Sequence, residues 1–209
     1  MPTLTGLAPD PRQPGYRLVE VDRGRFASLP ADAIEGLSLQ LGAALMPAVL
    51  ERLRELADVE AAQRAALRAL ARRAHAWRDL ARRLTKKQHP PVAVTAALER
   101  LAARGLLDDR RFAEGYAAVR ATRGKGPARI LADLLAQGVD RGVAEDAVGH
   151  ALAEEGIDPH VEARAAATKR ARQLGGLPPP VRRRRLLAFL VRRGYSGPQV
   201  RELVRELCG

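Results

Sequence analysis

The 209-residue sequence predicts an all-α protein: a tandem array of three three-helix modules, preceded by a small N-terminal β-hairpin and short helices. A pattern of helix, stop and second helix occurs three times at a spacing of roughly fifty residues, and a fixed period of this length is typical of helical repeats. The apolar residues are mostly Ala and Leu, which favour helices, whereas only 3% of residues are aromatic. Modules of this size are marginally stable alone, so we expect each to pack on its neighbours.

The N-terminal segment has a different character from the array. Residues 1–15 contain four prolines and few apolar side chains, which predicts a disordered tail. Tyr16–Val21 and Phe26–Leu29 are two short strand-like runs on either side of a turn, in which we expect Gly24 to take a positive φ. Two strands alone are marginal in water, so the predicted hairpin must pack on something else.

Short helices should connect the hairpin to the array. Pro30–Gly36 predicts one, and Pro47 can occupy the first turn of another. The predicted domains are a disordered tail at 1–15, a hairpin and helical extension at 16–58, and three-helix repeats at 59–107, 108–158 and 159–209.

Each repeat is recognised by a helix that runs into a turn. The three copies are Leu80–Leu84 with Gln88, Ile130–Leu134 with Gly138, and Leu186–Leu190 with Gly194. Glycine is favoured just past a helix end because it accepts left-handed backbone conformations. Gln88 departs from this rule, so we expect the first turn to be built differently. Further amphipathic segments precede and follow each copy, which completes the three-helix module.

Charge is distributed in blocks along the chain. The formal net charge of +12 divides into −2 for 1–58, +8 for 59–107, −3 for 108–158 and +9 for 159–209. Within the third of these segments, residues 108–129 carry +3 and residues 130–158 carry −6. Basic blocks favour contact with nucleic-acid phosphates, and alternation of sign favours a partner that is itself patterned. The alternative is that the Arg-rich helices are only well-solvated faces.

The basic side chains of the three repeats are the candidate nucleic-acid-binding residues. They are Arg82, Arg83, Lys86, Lys87, Arg120, Arg123, Lys125, Arg129, Arg182, Arg183, Arg184, Arg185, Arg192 and Arg193. The loop Arg123–Pro127 has two interpretations. It is either an ordinary interhelical turn or a phosphate site, in which N–H groups at a helix start act together with Lys125 and Arg129. It is not a P-loop, because the Gly-Lys-Ser/Thr ending and the preceding strand are missing.

Signals of catalysis are poor. The four histidines have no metal-ligand spacing, Asp108 with Asp109 is explained as a helix cap, and Cys208 has no evident base partner. We therefore expect no enzyme activity, metal or cofactor. A single cysteine excludes an internal disulfide, and no apolar run is long enough for a membrane helix, so we expect a cytoplasmic protein. Phe112 and Tyr116 lie at helical spacing among Ala and Leu and are expected in the core rather than stacked on bases.

Three segments together resemble the central motif of the RecX family of RecA regulators: Gly105–Glu114, Arg123–Pro127 and Leu134–Gly138. The resemblance extends from the hairpin through the C-terminal module. It implies a bacterial protein of tandem three-helix repeats that lies in the groove of the RecA–DNA filament. There it would restrain the recombinase, ATPase and coprotease activities of RecA.

The implied partners are the RecA nucleoprotein filament and single- and double-stranded DNA, with no membrane and the chain as a monomer. We expect the basic repeats to meet DNA or an acidic filament surface. Asp133, Glu145 and Asp146, in the acidic segment, are the candidate contacts to a basic patch of RecA. The alternatives are a tandem trihelical nucleic-acid-binding protein that acts without RecA, and a structural helical adaptor.

Overall fold

The computed structural model describes residues 1–208 and has a three-stranded sheet followed by helices. The strands are β1 (Leu4–Pro9), β2 (Tyr16–Val21) and β3 (Gly24–Pro30). The helices are α1 (Ala31–Glu35), α2 (Pro47–Leu70), α3 (Trp77–Lys86), α4 (Pro91–Ala103), α5 (Asp109–Thr122), α6 (Pro127–Gln137), α7 (Arg141–Glu154), α8 (Pro159–Gln173), α9 (Pro179–Arg193) and α10 (Pro198–Cys208). The predicted fold class, a helical array behind a small N-terminal β element, is confirmed.

The prediction of a disordered tail at residues 1–15 is wrong. Strand β1 pairs antiparallel with β2, from Leu4 opposite Val21 to Pro9 opposite Arg17, so the sheet has the order β1-β2-β3. Leu4 is fully buried, and its N–H donates to the carbonyl of Ala43 at 3.0 Å on the outer side of β1. The prolines flank the strand or lie at its end, where a missing N–H is tolerated, and therefore mark its ends rather than disorder.

The turn between β2 and β3 is also built differently from the prediction. Asp22 and Arg23, not Gly24, have positive φ angles of 51° and 62°, as the tight turns that suit a twisted hairpin require. Strand β1 and the residue before it support this turn, because the N–H of Thr3 donates to Asp22 Oδ1 and the N–H of Arg23 donates to Thr5 Oγ1, both at 2.8 Å. Aspartate tolerates the left-handed region, and hydrogen bonds from the neighbouring strand stabilise the strained pair.

Helix α2 is continuous over 24 residues. The domain division predicted at residue 58 falls inside it and is not a boundary. The stretch around this position contains no glycine or proline, and Ala-rich sequence propagates a helix. The chain divides instead into two compact units: unit 1 contains Met1–Ala74 and Leu80–Leu107, and unit 2 contains His75–Asp79 and the chain from Asp108 onward.

A buried carboxylate ties the sheet of unit 1 to two helices. Glu60 on α2 is 1% exposed, accepts a hydrogen bond from Tyr16 Oη on β2 at 3.1 Å, and pairs with Arg100 Nη1 on α4 at 3.0 Å. Burial, followed by the negative charge of Glu60, raises the pKa of the Tyr16 phenol. A buried charge must be paired to be tolerated, and the two partners meet this need at Glu60.

The cores of unit 2 follow the predicted apolar pattern. Repeat 2 packs α5, α6 and α7 around buried residues that include Phe112, Ile130, Leu134 and Val148. Repeat 3 packs α8, α9 and α10 around Leu186, Leu190, Tyr195, Val200, Val204 and Cys208, among others. Asp108, Asp140 and Asp158 cap the helices that follow them, each through a side-chain oxygen that accepts from a first-turn N–H.

The turn after the central helix has the same geometry in all three repeats. Gly138 and Gly194 have φ angles of 88° and 92°, and Gln88 reaches 68° at the equivalent position. In each turn the next N–H donates back to the carbonyl of the last core leucine: His89 to Leu84, Val139 to Leu134, and Tyr195 to Leu190. The expectation of a different first turn is therefore wrong. Gln88 adopts the left-handed conformation at an energetic cost that glycine does not have.

Candidate nucleic-acid interface

The loop Arg123–Pro127 meets the end of α9 in a joint between the backbones of repeats 2 and 3. The N–H of Gly126 donates to the carbonyl of Arg193 at 2.7 Å, and the N–H of Ala128 donates to the carbonyl of Gly194 at 3.3 Å. The first N–H groups of a helix and the last carbonyls of another lack partners within their own helices. Here the start of α6 and the end of α9 satisfy each other, because N–H groups at the one donate to carbonyls at the other.

Two glycines make this close approach possible. A Cβ on Gly126 would lie 2.5 Å from the carbonyl oxygen of Gly194, and a Cβ on Gly194 would lie 2.4 Å from the backbone nitrogen of Arg129. Both distances are far below van der Waals contact. Gly126 in the loop and Gly194 at the end of α9 are therefore required for the contact between repeats.

These hydrogen bonds rule out one of the two interpretations of the loop Arg123–Pro127. A phosphate site built from the N–H groups at the start of α6 is not available, because those of Gly126 and Ala128 already donate to α9. The side chains of Arg123 and Lys125 are not used by the joint, so they are free to contact an anion.

Two basic side chains of repeat 3 converge on the ring of Phe189 beside the joint. The guanidinium carbon of Arg193 lies 5.0 Å from the centre of the Phe189 ring, and that of Arg170 lies 5.6 Å from the same centre. Arg193 Nη1 lies 3.7 Å from the position that a Cβ on Gly124 would occupy, so this side chain reaches the loop. We give the name joint cluster to the basic residues of the loop, of the end of α9 and of the Phe189 contact: Arg123, Lys125, Arg170, Arg192 and Arg193.

The joint cluster carries uncompensated positive charge. Within residues 1–208, none of its five members forms an ion pair with an acidic side chain. Arg170 Nη1 donates to Gln173 Oε1 at 2.8 Å, but its buried Nε has no hydrogen-bond partner in this part of the chain. Stacking on Phe189 holds two guanidinium groups in place without neutralising them. This arrangement suits a phosphate-bearing ligand.

Arg120 and Arg129 belong to a different network. Arg129 Nε pairs with Asp133 Oδ1 at 3.0 Å, and Tyr116 Oη donates to Asp133 Oδ2 at 3.2 Å. The guanidinium carbon of Arg120 lies 4.9 Å from the centre of the Tyr116 ring. Both oxygens of Asp133 are therefore partnered inside repeat 2, and the charge of Arg129 is balanced there.

The other candidate residues are spread over two units. Arg183, Arg184 and Arg185 are exposed on the first half of α9, whereas Arg182 is half-buried, with an Nε that lacks a hydrogen-bond partner in the described chain. The side chains of the first basic block lie in unit 1 and are exposed on or just after α3: Arg82, Arg83, Lys86 and Lys87.

The acidic candidates Glu145 and Asp146 are exposed on α7. Glu145 pairs with Arg141 at 3.1 Å, and Asp146 lies 3.9 Å from Arg110 of α5. Asp146 also lines a groove of about 520 Å³ between α5 and α7. Solvent-exposed pairs of this kind are weak, so both carboxylates remain available to a cationic partner.

The described residues give no support for a metal site or for a membrane-spanning helix. No three or more His, Cys, Asp or Glu side chains in residues 1–208 form a group that could hold a metal ion. His75 is buried, with Nδ1 2.9 Å from Asp79 Oδ2. In the same part of the chain, no helix is long and apolar enough to cross a membrane.

The sequence did not predict that the guanidinium of Arg170 lies over the ring of Phe189. It also did not predict that the loop Arg123–Pro127 contacts α9 directly. Arg170 belongs to α8, and no spacing along α9 links it to Phe189. Glycine on both sides of Lys125 was the available signal for a close backbone approach, although it does not identify the partner.

Comparison with known proteins gives one consistent family. Residues 108–148 match the family model of the second three-helix domain of RecX, and residues 162–204 match that of the third. Regulatory protein RecX of Halorhodospira halophila is 43% identical over 144 residues, which cover 68% of this chain and 85% of that relative. Regulatory protein RecX of Ectopseudomonas mendocina is 38% identical over 146 residues, which cover 69% of this chain and 93% of the relative.

Solved structures agree in fold. A crystal structure of regulatory protein RecX aligns with a TM-score of 0.71 and 19% identity, over 99% of this chain and all of the other. The crystal structure of RecX from Lactobacillus salivarius aligns with a TM-score of 0.58 and 22% identity, over 72% of this chain and 96% of the other. At these identities the likeness concerns the fold alone.

Proposed function

This chain belongs to the RecX family of regulatory proteins, and on that premise we propose that it binds the RecA–DNA filament and restrains the recombinase, ATPase and coprotease activities of RecA. The partners in this proposal are the RecA nucleoprotein filament and its DNA. The protein acts by occupying a binding surface, without chemistry of its own.

The observation that carries the proposal is the joint cluster. It places five basic side chains from two repeats in one compact unit, with no acidic partner in the described chain to neutralise them. A filament groove presents phosphates along a track, and an array of packed repeats can follow such a track with fixed spacing. Arg183, Arg184 and Arg185 extend the basic surface of repeat 3 along α9.

The acidic face of α7 supplies the second half of the proposal. Glu145 and Asp146 are exposed carboxylates in the segment 130–158 with a net charge of −6. They would contact a basic surface of RecA and orient the protein on the filament, because complementary charges fix register as well as raise the association rate. Asp133 is left out of this contact, since Tyr116 and Arg129 already use its oxygens.

Reversing the charge of the α7 carboxylates tests whether they contact RecA rather than DNA. Glu145→Lys with Asp146→Lys should weaken binding to RecA–DNA filaments, measured by co-sedimentation, while binding to free DNA is unchanged or stronger. The matched control is Glu51→Lys with Glu55→Lys, which alters two carboxylates of similar exposure that also form helical ion pairs. Equal loss of filament and free-DNA binding in the α7 variant would contradict the assignment. Retention of both would also contradict it.

A further inference from the structure

A basic cleft lies in unit 1, and none of the candidate binding residues named from the sequence lines it. It has a volume of about 530 Å³ and is formed between the N-terminal sheet and α2. Arg12 comes from the β1–β2 loop, Arg25 and Phe26 from β3, and Asp58 and Arg64 from α2. Arg12 and Arg25 come from residues 1–58, which carry a net charge of −2, and the fold brings them beside Arg64 of the basic segment 59–107.

A buried aspartate shapes the cleft. Asp10 accepts hydrogen bonds from Ser28 Oγ at 2.6 Å and from the N–H of Arg12 at 2.9 Å, which fixes the loop that carries Arg12. The Ser28 hydrogen bond, followed by the Arg12 N–H and then the nearby charges of Arg25 and Arg12, lowers the pKa of the Asp10 carboxyl. Both oxygens of Asp10 are therefore already bonded, and its charge helps to hold two guanidinium groups at the cleft.

The cleft retains a surplus of positive charge. Arg12, Arg25 and Arg64 form no ion pair with an acidic side chain at the distance of a salt bridge in residues 1–208. Against these three cations stand the carboxylates of Asp10 and Asp58, which leaves one positive charge. A phosphodiester carries one negative charge, and the guanidinium fork matches the geometry of its oxygens.

Phe26 adds a feature that a simple anion site lacks. It is half-buried, packs against the core of unit 1 and is one of the residues that line the cleft. An aromatic ring on a strand beside a basic groove is a common platform for unpaired bases, because every base offers a face for stacking. The volume lies in the range of about 300–1,000 Å³ that holds small ligands.

From these observations we propose that the cleft binds one unpaired nucleotide of a single strand. The guanidinium groups hold its phosphodiester, and its base stacks on Phe26. A base within a duplex is stacked between its neighbours and cannot reach the ring, so the site distinguishes single from double strands. This inference concerns unit 1 and isolated nucleic acid. It stands or falls independently of any effect on RecA.

Photo-crosslinking reports directly on the stacked base. The full chain is mixed with a thymine-rich single strand that contains 5-iodouracil, irradiated and digested with trypsin. Cleavage after Arg25 and Arg52 releases the peptide 26–52, whose one aromatic residue is Phe26. Cleavage after Arg185 and Arg192 releases residues 186–192, in which Phe189 is the one aromatic residue. The two basic sites are thereby read separately in one experiment.

The expected result is a crosslink at Phe26 in peptide 26–52. The Phe26→Leu variant should lose it while keeping an apolar side chain in the core. Arg12→Gln with Arg64→Gln should lower its yield at least about tenfold, because two charge-assisted hydrogen bonds to phosphate are removed. The control Arg17→Gln with Arg68→Gln removes two exposed arginines of β2 and α2 that do not line the cleft, and should leave the yield unchanged.

Three results would overturn the proposal. The first is the absence of crosslinked peptide 26–52 when other peptides of the same sample are crosslinked. The second is an equal yield from a duplex that carries the same label, which would mean that no unpaired base is needed. The third is an equal loss in the two double variants, which would reduce the effect to general attraction by charge.

Discussion

The N–H of Gly126 donates to the carbonyl oxygen of Arg193 at 2.7 Å. This hydrogen bond spans 67 residues of sequence and joins the start of α6 to the end of α9. The same Arg193 places its guanidinium over Phe189 and beside Gly124. One residue therefore links the packing of two repeats to the basic surface proposed to meet phosphates.

The joint makes Gly126 intolerant of a side chain. Gly126→Ala should destabilise the protein by about 1–3 kcal/mol, because its Cβ would overlap the carbonyl of Gly194. Gly115→Ala is the matched control. Gly115 is exposed within α5 and has open space around it, so this change should stabilise by about 0.5–1 kcal/mol. Urea unfolding followed by circular dichroism measures both changes, and a Gly126→Ala variant as stable as the control would contradict the role of the joint.

Gln88, which has a left-handed backbone conformation in the turn of repeat 1, is a position where glycine should stabilise the protein. Gln88→Gly should raise the free energy of unfolding by about 0.5–1 kcal/mol, because Gln88 holds a φ of 68° that glycine adopts without strain. Gln88→Ala keeps the Cβ and should have little effect. Thermal unfolding of the two variants beside the parent protein gives the comparison. A lower stability of the Gln88→Gly variant than of the Gln88→Ala variant would show that the turn is not strained.

The hydrogen bond between Ser28 and Asp10 should give a pH-dependent contribution to stability. The pKa of Asp10 is lowered in the folded protein. As pH falls, its carboxylate is therefore protonated in the unfolded chain at a higher pH than in the folded protein. The stabilisation is present above about pH 4, the ordinary range of an aspartate carboxyl, and is lost as pH falls through the folded pKa. Ser28→Ala should lower the melting temperature at pH 7, and the difference from the parent should shrink below about pH 4. A difference that stays constant down to pH 2 would argue against this linkage.

The joint cluster should set the salt dependence of DNA binding. Lys125→Gln with Arg192→Gln removes two cations, so the slope of log affinity against log salt on duplex DNA should become shallower by about 1.8. Arg201→Gln with Arg205→Gln is the control, since both arginines are exposed on α10 in the same repeat and lie outside the cluster. Fluorescence anisotropy at several salt concentrations gives the slopes. Equal changes in both variants would mean that the chain is attracted by net charge alone.

Local pattern was enough to predict the helical array. Apolar spacing identified the core leucines of each repeat, and Asp108 was recognisable as a helix cap, because these signals act within one helical turn. The resemblance to the RecX family came from motifs in the same region. It is supported by relatives that are 38% and 43% identical.

Long-range contacts explain what the sequence did not reveal. Prolines at residues 1–15 suggested disorder, but Leu4 gains full burial by pairing with β2 and with the segment around Ala43. Gln88 lacks the glycine signal, yet the helix end imposes the left-handed conformation on it. The joint cluster and the N-terminal cleft both depend on side chains from separate elements, which no periodicity in one helix can connect.

ATP hydrolysis by RecA from the same organism, in the presence of single-stranded DNA, tests directly whether this protein restrains the RecA filament. The protein is added at amounts well below one per RecA, with a charge-matched basic protein as control. We predict inhibition at these ratios that the control does not produce, because a regulator of an assembled filament acts on many subunits at once. No inhibition at any ratio, together with salt-sensitive DNA binding, would contradict the claim and indicate a nucleic-acid-binding helical array that acts without RecA.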